Sequence, residues 1–172
     1  MDSDLKFCSH RDYVISKALR TSCFCFTIVR SSNMQLLITL FKMCVVPILT
    51  YCSGLYANPT APSFRIIERV QKIFTRRLFL RLFPKSDVPD YSVRLQTFGL
   101  NRLSEVFSQN HLMTLERITN SKMKSLYFKP SFSRRKRDLI IIPSIQSSLY
   151  RNSFFHNVLV LWNDRHSLKP SH

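Results

Sequence analysis

The chain has 172 residues, 45% of them hydrophobic, which is enough for one compact domain with a core of its own, and two small lobes are the alternative. Its 26 Lys and Arg against 10 Asp and Glu give a formal charge of +16, which favours an anionic partner, either nucleic acid or an acidic membrane surface. Only Gly54 and Gly99 are glycines, so glycine-rich phosphate loops, dinucleotide fingerprints and nucleophile elbows are excluded, and a mainly α fold is favoured over tight β-hairpins.

The first quarter of the chain predicts two helices. Asp12 is placed to cap a first helix that reaches about Arg30, because apolar residues recur there at three- and four-residue steps. Residues 31–33 supply a cap for a second helix, which Pro47 is expected to kink or end. Its expected buried face consists of Leu36, Leu37, Leu40, Phe41, Cys44 and Val45.

The segment 34–57 is the most apolar of the chain and is about long enough to cross a bilayer. Lys42 and Pro47 lie inside it, and a Lys at the centre of a span costs about 2.5–3.5 kcal/mol on insertion scales. A buried core helix is therefore the preferred interpretation, and a membrane partner is not expected.

The third predicted helix is the most informative element. After a Pro-rich loop, Ser63 is placed to cap a helix from Phe64 to about Phe83. Four cations fall within a narrow arc at 100° per residue, and we call them the basic stripe: Arg65, Arg69, Lys72 and Arg76. The opposite side carries Ile67, Val70, Phe74 and Leu78, so we expect that side to pack.

Phosphate contact is the functional interpretation of the basic stripe, and a solvated helix face is the alternative. Glu68 is the only acid on this helix, which together with the excess of positive charge favours phosphate contact. Arg77 falls inside the apolar arc and is expected to extend to the surface or to meet a partner that the sequence does not identify.

Beyond the breaker 84–89, the sequence predicts a short helix that ends near Gly99 and another from about Leu103 to Thr119. Residues 121–148 are expected to be extended and irregular. Their basic run consists of Arg134, Arg135, Lys136 and Arg137. For this run a nuclear-localisation patch, a second phosphate contact and a plain basic linker all stay open. A last helix lies within 149–172, so the predicted division is a helical region 1–120, a linker 121–148 and a C-terminal helical extension.

No catalytic or metal motif is recognisable in the sequence. Its ten acids include no adjacent pair of the kind that holds two Mg²⁺ ions, and no histidine stands in a nucleophile–base pattern. The spacing of Cys8, His10, Cys23 and Cys25 matches no known zinc knuckle. We therefore expect no metal and no cofactor. An odd number of cysteines behind a polar N-terminus predicts reduced thiols in an intracellular protein.

Five ordered blocks of the sequence resemble the region that follows the palm in reverse transcriptases of non-LTR (LINE-like, jockey/RTE-type) retrotransposons. The blocks are Leu5-Lys6-Phe7 with His10 and Lys17-Ala18; Val46-Pro47-Ile48-Leu49 with Tyr51 and Ser53; Ile67-Glu68-Arg69-Val70-Gln71-Lys72 with Phe74-Thr75-Arg76; Tyr91, Arg94-Leu95 and Gly99-Leu100; and Arg151-Asn152-Ser153-Phe154-Phe155 with Leu161-Trp162-Asn163. The sequence departs from the family pattern at Val46, Tyr56 and Asp164-Arg165.

The resemblance implies that the intact protein is an RNA-directed DNA polymerase, and that this portion is its thumb with a C-terminal extension. Thumb helices of such an enzyme would grip the template–primer duplex. Fingers, palm and the metal-binding carboxylates would precede Met1, so we expect a catalytically incomplete remnant that at most binds nucleic acid. Two alternatives stay open: an inactive helical chain with no partner, and a membrane-associated helical protein.

Overall fold

A computed structural model describes residues 8–30, 32–56, 58, 64–120, 140–142 and 153–167. This part of the chain is mainly helical, which confirms the predicted fold class. The helices are α1 (Cys8–Ile28), α2 (Met34–Leu40), α3 (Val46–Thr50), α4 (Ser53–Tyr56), α5 (Phe64–Leu82), α6 (Tyr91–Phe98), α7 (Leu103–Thr119) and α8 (Phe154–Ser167). The described residues form two compact units: those up to Val106 belong to the first and those from Phe107 onward to the second, so the division falls within α7. The predicted boundary after residue 120 stays a prediction.

Helix α1 begins four residues earlier than the sequence predicts, so Asp12 does not cap it. The carboxylate of Asp12 instead lies 3.5 Å from the guanidinium of Arg11. The prediction was wrong because it took the first acceptor before an apolar run as the helix start. The buried side of α1 carries Val14, Ile15, Ala18, Ser22 and Cys25.

The second helix is capped as predicted, since Asn33 Oδ1 accepts a hydrogen bond of 3.1 Å from the backbone N–H of Leu36. A π-helical turn at Phe41–Val45 then joins α2 to α3, and the helical backbone continues through Pro47 as far as Thr50. Pro47 has no N–H to donate, and its ring would crowd the carbonyl four residues back in a regular α-helix. The wider turn, with Val46 N–H bonded to the Phe41 carbonyl, accommodates it, so Pro47 does not end the helix.

The predicted face of the second helix is partly wrong. Leu37, Phe41 and Val45 are buried as predicted, but Leu36 and Cys44 are exposed. Ile38 is buried and was not predicted to be. A π-helical turn contains one residue more than an α-helical turn. The residues on its two sides therefore do not share the faces that a regular α-helix would give them.

Phe74 on α5 is at the centre of the first unit and is fully buried. Its ring stacks on Phe41 with centroids 4.1 Å apart and meets Phe26 of α1 at 5.3 Å. Ile67, Val70, Phe74 and Leu78 are all buried, so the apolar side predicted for α5 is confirmed. Burying an aromatic ring contributes a few kcal/mol, and ring pairs add about 0.5–1.5 kcal/mol each, so this cluster fixes the rotation of α5 about its own axis.

Both ends of α6 show local signals that the sequence carries. Asp90 caps its start by accepting from Ser92, through Oγ at 2.8 Å and through the backbone N–H at 3.3 Å. These hydrogen bonds, the one from Ser92 Oγ first, lower the pKa of the Asp90 carboxyl. Gly99 ends the helix at φ 58°, in the left-handed region, with its N–H bonded to the Gln96 carbonyl. The predicted helix end near Gly99 is confirmed.

The second unit has a small core of Leu115, Val158 and Leu159, against which Trp162 packs. Asn163 of α8 accepts from Ile140 N–H at 3.1 Å and donates to the Ile140 carbonyl at 2.9 Å. A side-chain amide here pairs with a backbone peptide as a neighbouring strand would. The C-terminal helix predicted within 149–172 is confirmed by α8.

Candidate nucleic-acid interface

All four cations of the basic stripe are exposed on α5. Arg65 and Arg76 are eleven residues apart, so the stripe extends over about 16 Å of helix axis. Among the described residues, none of the four is in an ion pair with an acid. The structure therefore places a row of cations on a helix whose opposite side is anchored in the core.

Glu68, the only acid of α5, is buried and lies away from the stripe's solvent side. Its Oε1 accepts a short hydrogen bond from the Tyr91 hydroxyl of α6 and a longer one, 3.4 Å, from the backbone N–H of Leu103. Leu103 is the first residue of α7, where an unpaired N–H and the helix dipole both favour a negative charge. The carboxylate thus joins α5 to α6 and to the start of α7, and it does not neutralise the stripe at the surface.

Tyr91 connects Glu68 to a second polar residue of α5. Its hydroxyl also lies 3.0 Å from Gln71 Oε1, while Gln71 Nε2 donates to the Asn101 carbonyl at 2.9 Å. Burial raises the pKa of the Tyr91 phenol well above its usual range, and the hydrogen bond to Glu68 raises it further. The phenol therefore stays protonated and able to donate across the ordinary pH range.

Arg94 is an arginine of the interior. It is buried on α6, donates from Nη1 to the Pro89 carbonyl, and has Nε 3.4 Å from Thr75 Oγ1 of α5. Its guanidinium carbon lies 5.8 Å from the centre of the Tyr91 ring. Arg94 therefore holds α6 on α5 and is not available to a phosphate.

Lys72 differs from the other members of the stripe because its Nζ lies 5.2 Å from the centre of the Tyr91 ring. A cation–π contact of this kind at an exposed site contributes about 0.5–1 kcal/mol. It restricts the direction in which the Lys72 side chain extends. One member of the stripe is thereby preorganised by the same tyrosine that holds Glu68.

Arg77 and Arg81 of α5 contact α1. Arg77 extends to the surface, which was one of the two outcomes predicted for it. Its Nη1 lies 2.8 Å from Cys23 Sγ of α1. Arg81 donates to the carbonyls of Phe26 and Val29 at the end of α1, the first of these at 3.0 Å. These carbonyls have no partner within their own helix, so Arg81 caps α1 from the neighbouring helix.

The second basic run of the sequence, Arg134 to Arg137, lies outside the described residues. Its three interpretations stay open.

The described part of the chain contains no group of three His, Cys, Asp or Glu side chains that could hold a metal ion. Within the same residues, no helix has both the length and the apolar character that a bilayer crossing requires.

Sequence reasoning identified the stripe but not the residues that support it. Glu68 and Arg94 are charged, and charge alone predicts a place at the surface. A signal was nevertheless present, since Glu68 and Gln71 flank the apolar side of α5 and Tyr91 and Arg94 lie one helical turn apart on α6.

No family model, no curated protein and no solved structure matches the chain.

Proposed function

We propose that this chain binds nucleic-acid duplexes without sequence preference, through the basic stripe of α5. The observation that carries the proposal is the separation of charge on this helix: four cations are exposed along one side, while the only acid is buried beneath α6. A solvated helix face normally mixes both signs of charge. This one presents a single sign along its length.

The stripe suits a phosphate backbone for two physical reasons. Arg and Lys side chains contact phosphates and release condensed counterions, which makes binding favourable and strongly dependent on salt. The core packing of Phe74 fixes the rotation of α5, so the stripe faces the ligand without any rotation of the helix on binding. Contacts to phosphates alone carry no sequence information, so the predicted binding is non-specific.

We also propose that the chain is the thumb and C-terminal extension of a non-LTR retrotransposon reverse transcriptase, without catalytic activity of its own. The resemblance supports this origin. A second support is that residues of two resembling blocks are linked by hydrogen bonds. Tyr91 bonds to Glu68 and Gln71, and Arg94 is linked to Gln71 through Thr75 Oγ1. In this proposal the network holds the stripe helix in place, and the stripe holds the template–primer duplex.

The test compares two variants with the same change in net charge. The stripe variant replaces the four stripe residues by Gln. The control variant replaces four exposed cations elsewhere by Gln: Arg30, Lys42, Lys85 and Arg117. Binding to a fluorescent primer–template duplex is measured by anisotropy at physiological salt.

We expect the stripe variant to lose about 100- to 1000-fold in duplex affinity, because four phosphate contacts are removed, and the control variant to lose far less. Equal losses in both variants would mean that total charge, and not the stripe, determines binding. Circular dichroism of both variants establishes that the helices are retained.

One observation favours a second candidate, an anionic membrane surface. Ile66, Ile73 and Leu80 follow one another at seven-residue steps beside the stripe, and Ile66 and Leu80 are exposed. A helix that lies in a membrane interface combines such apolar residues with cations. Co-sedimentation with phosphatidylserine vesicles that is lost in an Ile66→Ser/Leu80→Ser variant would support this candidate over duplex binding.

A further inference from the structure

Helix α1 carries a second exposed face, which is aromatic as well as cationic. Tyr13, Lys17, Arg20 and Phe24 follow one another at steps of four, three and four residues, so they lie along one side of the helix. We call them the aromatic–cation face. All four are exposed, the rings at 59% for Tyr13 and 63% for Phe24. Large rings at this exposure leave apolar surface in water that a ligand could cover.

The position of this face is fixed by the packing of α1. The side of the helix that carries Ala18 and Cys25 is buried. The ring of Phe26 meets Phe74 of α5, and Arg81 of α5 caps the end of α1. The aromatic–cation face therefore belongs to a helix that is held at its side and at its end within the first unit.

The spacing of the face suits a strand of nucleic acid with unpaired bases. Tyr13 and Phe24 are eleven residues apart, or about 16 Å along the axis, with Lys17 and Arg20 between them. Proteins that hold single strands combine aromatic rings, on which bases stack, with cations that follow the backbone. In a duplex the bases are already stacked on one another, so the two rings would gain little from it.

Charge argues against a protein partner and against a lipid surface. The centre of a protein interface is depleted of Lys, whereas Lys17 lies near the centre of this face. A second copy of the chain would bring the same positive charge to the contact. A helix that inserts into lipid needs a continuous apolar side, which Lys17 and Arg20 interrupt. Asp12, the acid of α1, lies about 100° away from Tyr13 around the helix and close to Arg11.

We propose that the aromatic–cation face of α1 is a binding site for single-stranded nucleic acid, with bases stacked on Tyr13 and Phe24 and phosphates at Lys17 and Arg20. This site is additional to the basic stripe and takes a different form of the polymer. It rests on the residues of α1 alone and does not require that the stripe bind duplex.

The test uses a short fluorescent oligothymidylate, which forms little structure of its own. A Tyr13→Leu/Phe24→Leu variant keeps apolar bulk but removes both rings, and a Tyr13→Phe/Phe24→Tyr variant keeps them. Each lost stacking contact weakens binding by about 5- to 150-fold, so we expect a large loss in the leucine variant and little change in the ring-retaining variant. Both sites are exposed, so both variants are expected to fold as the parent does.

A direct readout of stacking comes from Phe24→Trp, whose added indole fluorescence is expected to be quenched by the oligonucleotide. The parent protein, which contains only Trp162, supplies the background. Equal oligothymidylate affinity in the parent and the leucine variant would overturn the proposal. The proposal would also be overturned if the leucine variant lost binding to phosphatidylserine vesicles, or lost dimers in sedimentation, while its oligothymidylate binding was unchanged.

Measuring the leucine variant and the stripe variant on both ligands separates the two proposals. We expect the leucine variant to lose single-strand binding and keep duplex binding, and the stripe variant to lose duplex binding. A stripe variant that binds duplex normally would contradict the function proposed for α5 and leave the site on α1 untouched.

Discussion

Removing one hydroxyl, in Tyr91→Phe, tests how the only acid of α5 is held in the interior. The Tyr91 hydroxyl has one proton to donate. Its oxygen lies within hydrogen-bond distance of Glu68 Oε1 and 3.0 Å from Gln71 Oε1. Without it, the contact that Glu68 Oε1 keeps within the described part of the chain is the one of 3.4 Å with Leu103 N–H. Glu68 Oε2 is buried and has no hydrogen-bond partner among the described residues. The substitution therefore leaves a buried carboxylate with one long hydrogen bond.

A hydrogen bond to a charged group contributes about 1.5–3 kcal/mol, so we expect the free energy of unfolding to fall by about 2 kcal/mol. With a urea dependence of about 1–3 kcal/mol per molar, the midpoint of unfolding falls by about 1 M. Urea denaturation followed by far-UV circular dichroism measures this shift. Tyr51→Phe is the matched control, because Tyr51 is 74% exposed and its loss of a hydroxyl is expected to change stability by less than about 0.5 kcal/mol.

A double-mutant cycle with Glu68→Leu, which removes the accepting oxygen, identifies the partner of the hydroxyl. If Tyr91 acts through Glu68, the two substitutions together cost less than the sum of their separate effects, by about 0.5–3 kcal/mol. Additive effects, or a Tyr91→Phe variant as stable as Tyr51→Phe, would refute the conclusion that this hydrogen bond holds the carboxylate in place.

Four further changes test other features of the fold. Burial lowers the pKa of His111 to about 4, so the unfolded chain binds a proton at higher pH than the folded chain does. The free energy of unfolding is therefore highest above about pH 6.5 and falls by up to about 3 kcal/mol toward pH 4. His111→Leu should remove this pH dependence in urea titrations at several pH values. Cys52 has φ 51°, so Cys52→Gly is expected to raise stability by about 0.5–1 kcal/mol and Cys52→Val to lower it. Gly99→Ala meets no atom within 4 Å, yet its φ of 58° predicts a loss of about 1 kcal/mol in thermal or urea unfolding. Arg81→Met keeps the apolar stem but removes the cap on α1, which is expected to cost about 1–3 kcal/mol; an unchanged urea midpoint would argue against that cap.

The elements that the sequence predicted well are those whose signals are local. The period of α5 determines which side packs, the end of α6 follows from Gly99, and the bounds of α7 follow from the run of apolar residues after Arg102. The exposure of the basic stripe follows from the same period. None of these features depends on which residues lie elsewhere in the chain.

The features that the sequence did not predict depend on residues distant in the chain. Glu68 is about 60° around α5 from Arg65, a position that the helical period alone assigns neither to core nor to solvent. Its burial is decided by Tyr91 and Leu103, which follow more than 20 residues later. Pro47 gave a correct signal of irregularity, but only the packed helix shows that a π-helical turn absorbs it.

The most direct test of the central claim is the salt dependence of duplex binding by the parent protein and by the stripe variant. Log affinity falls linearly with log salt concentration, and each phosphate contact makes this slope steeper by about 0.9. Removal of four cations is therefore expected to reduce the magnitude of the slope by about 3 to 4. The control variant at Arg30, Lys42, Lys85 and Arg117 is expected to keep nearly the slope of the parent. Identical slopes for the parent and the stripe variant would contradict the assignment of Arg65, Arg69, Lys72 and Arg76 to the duplex interface.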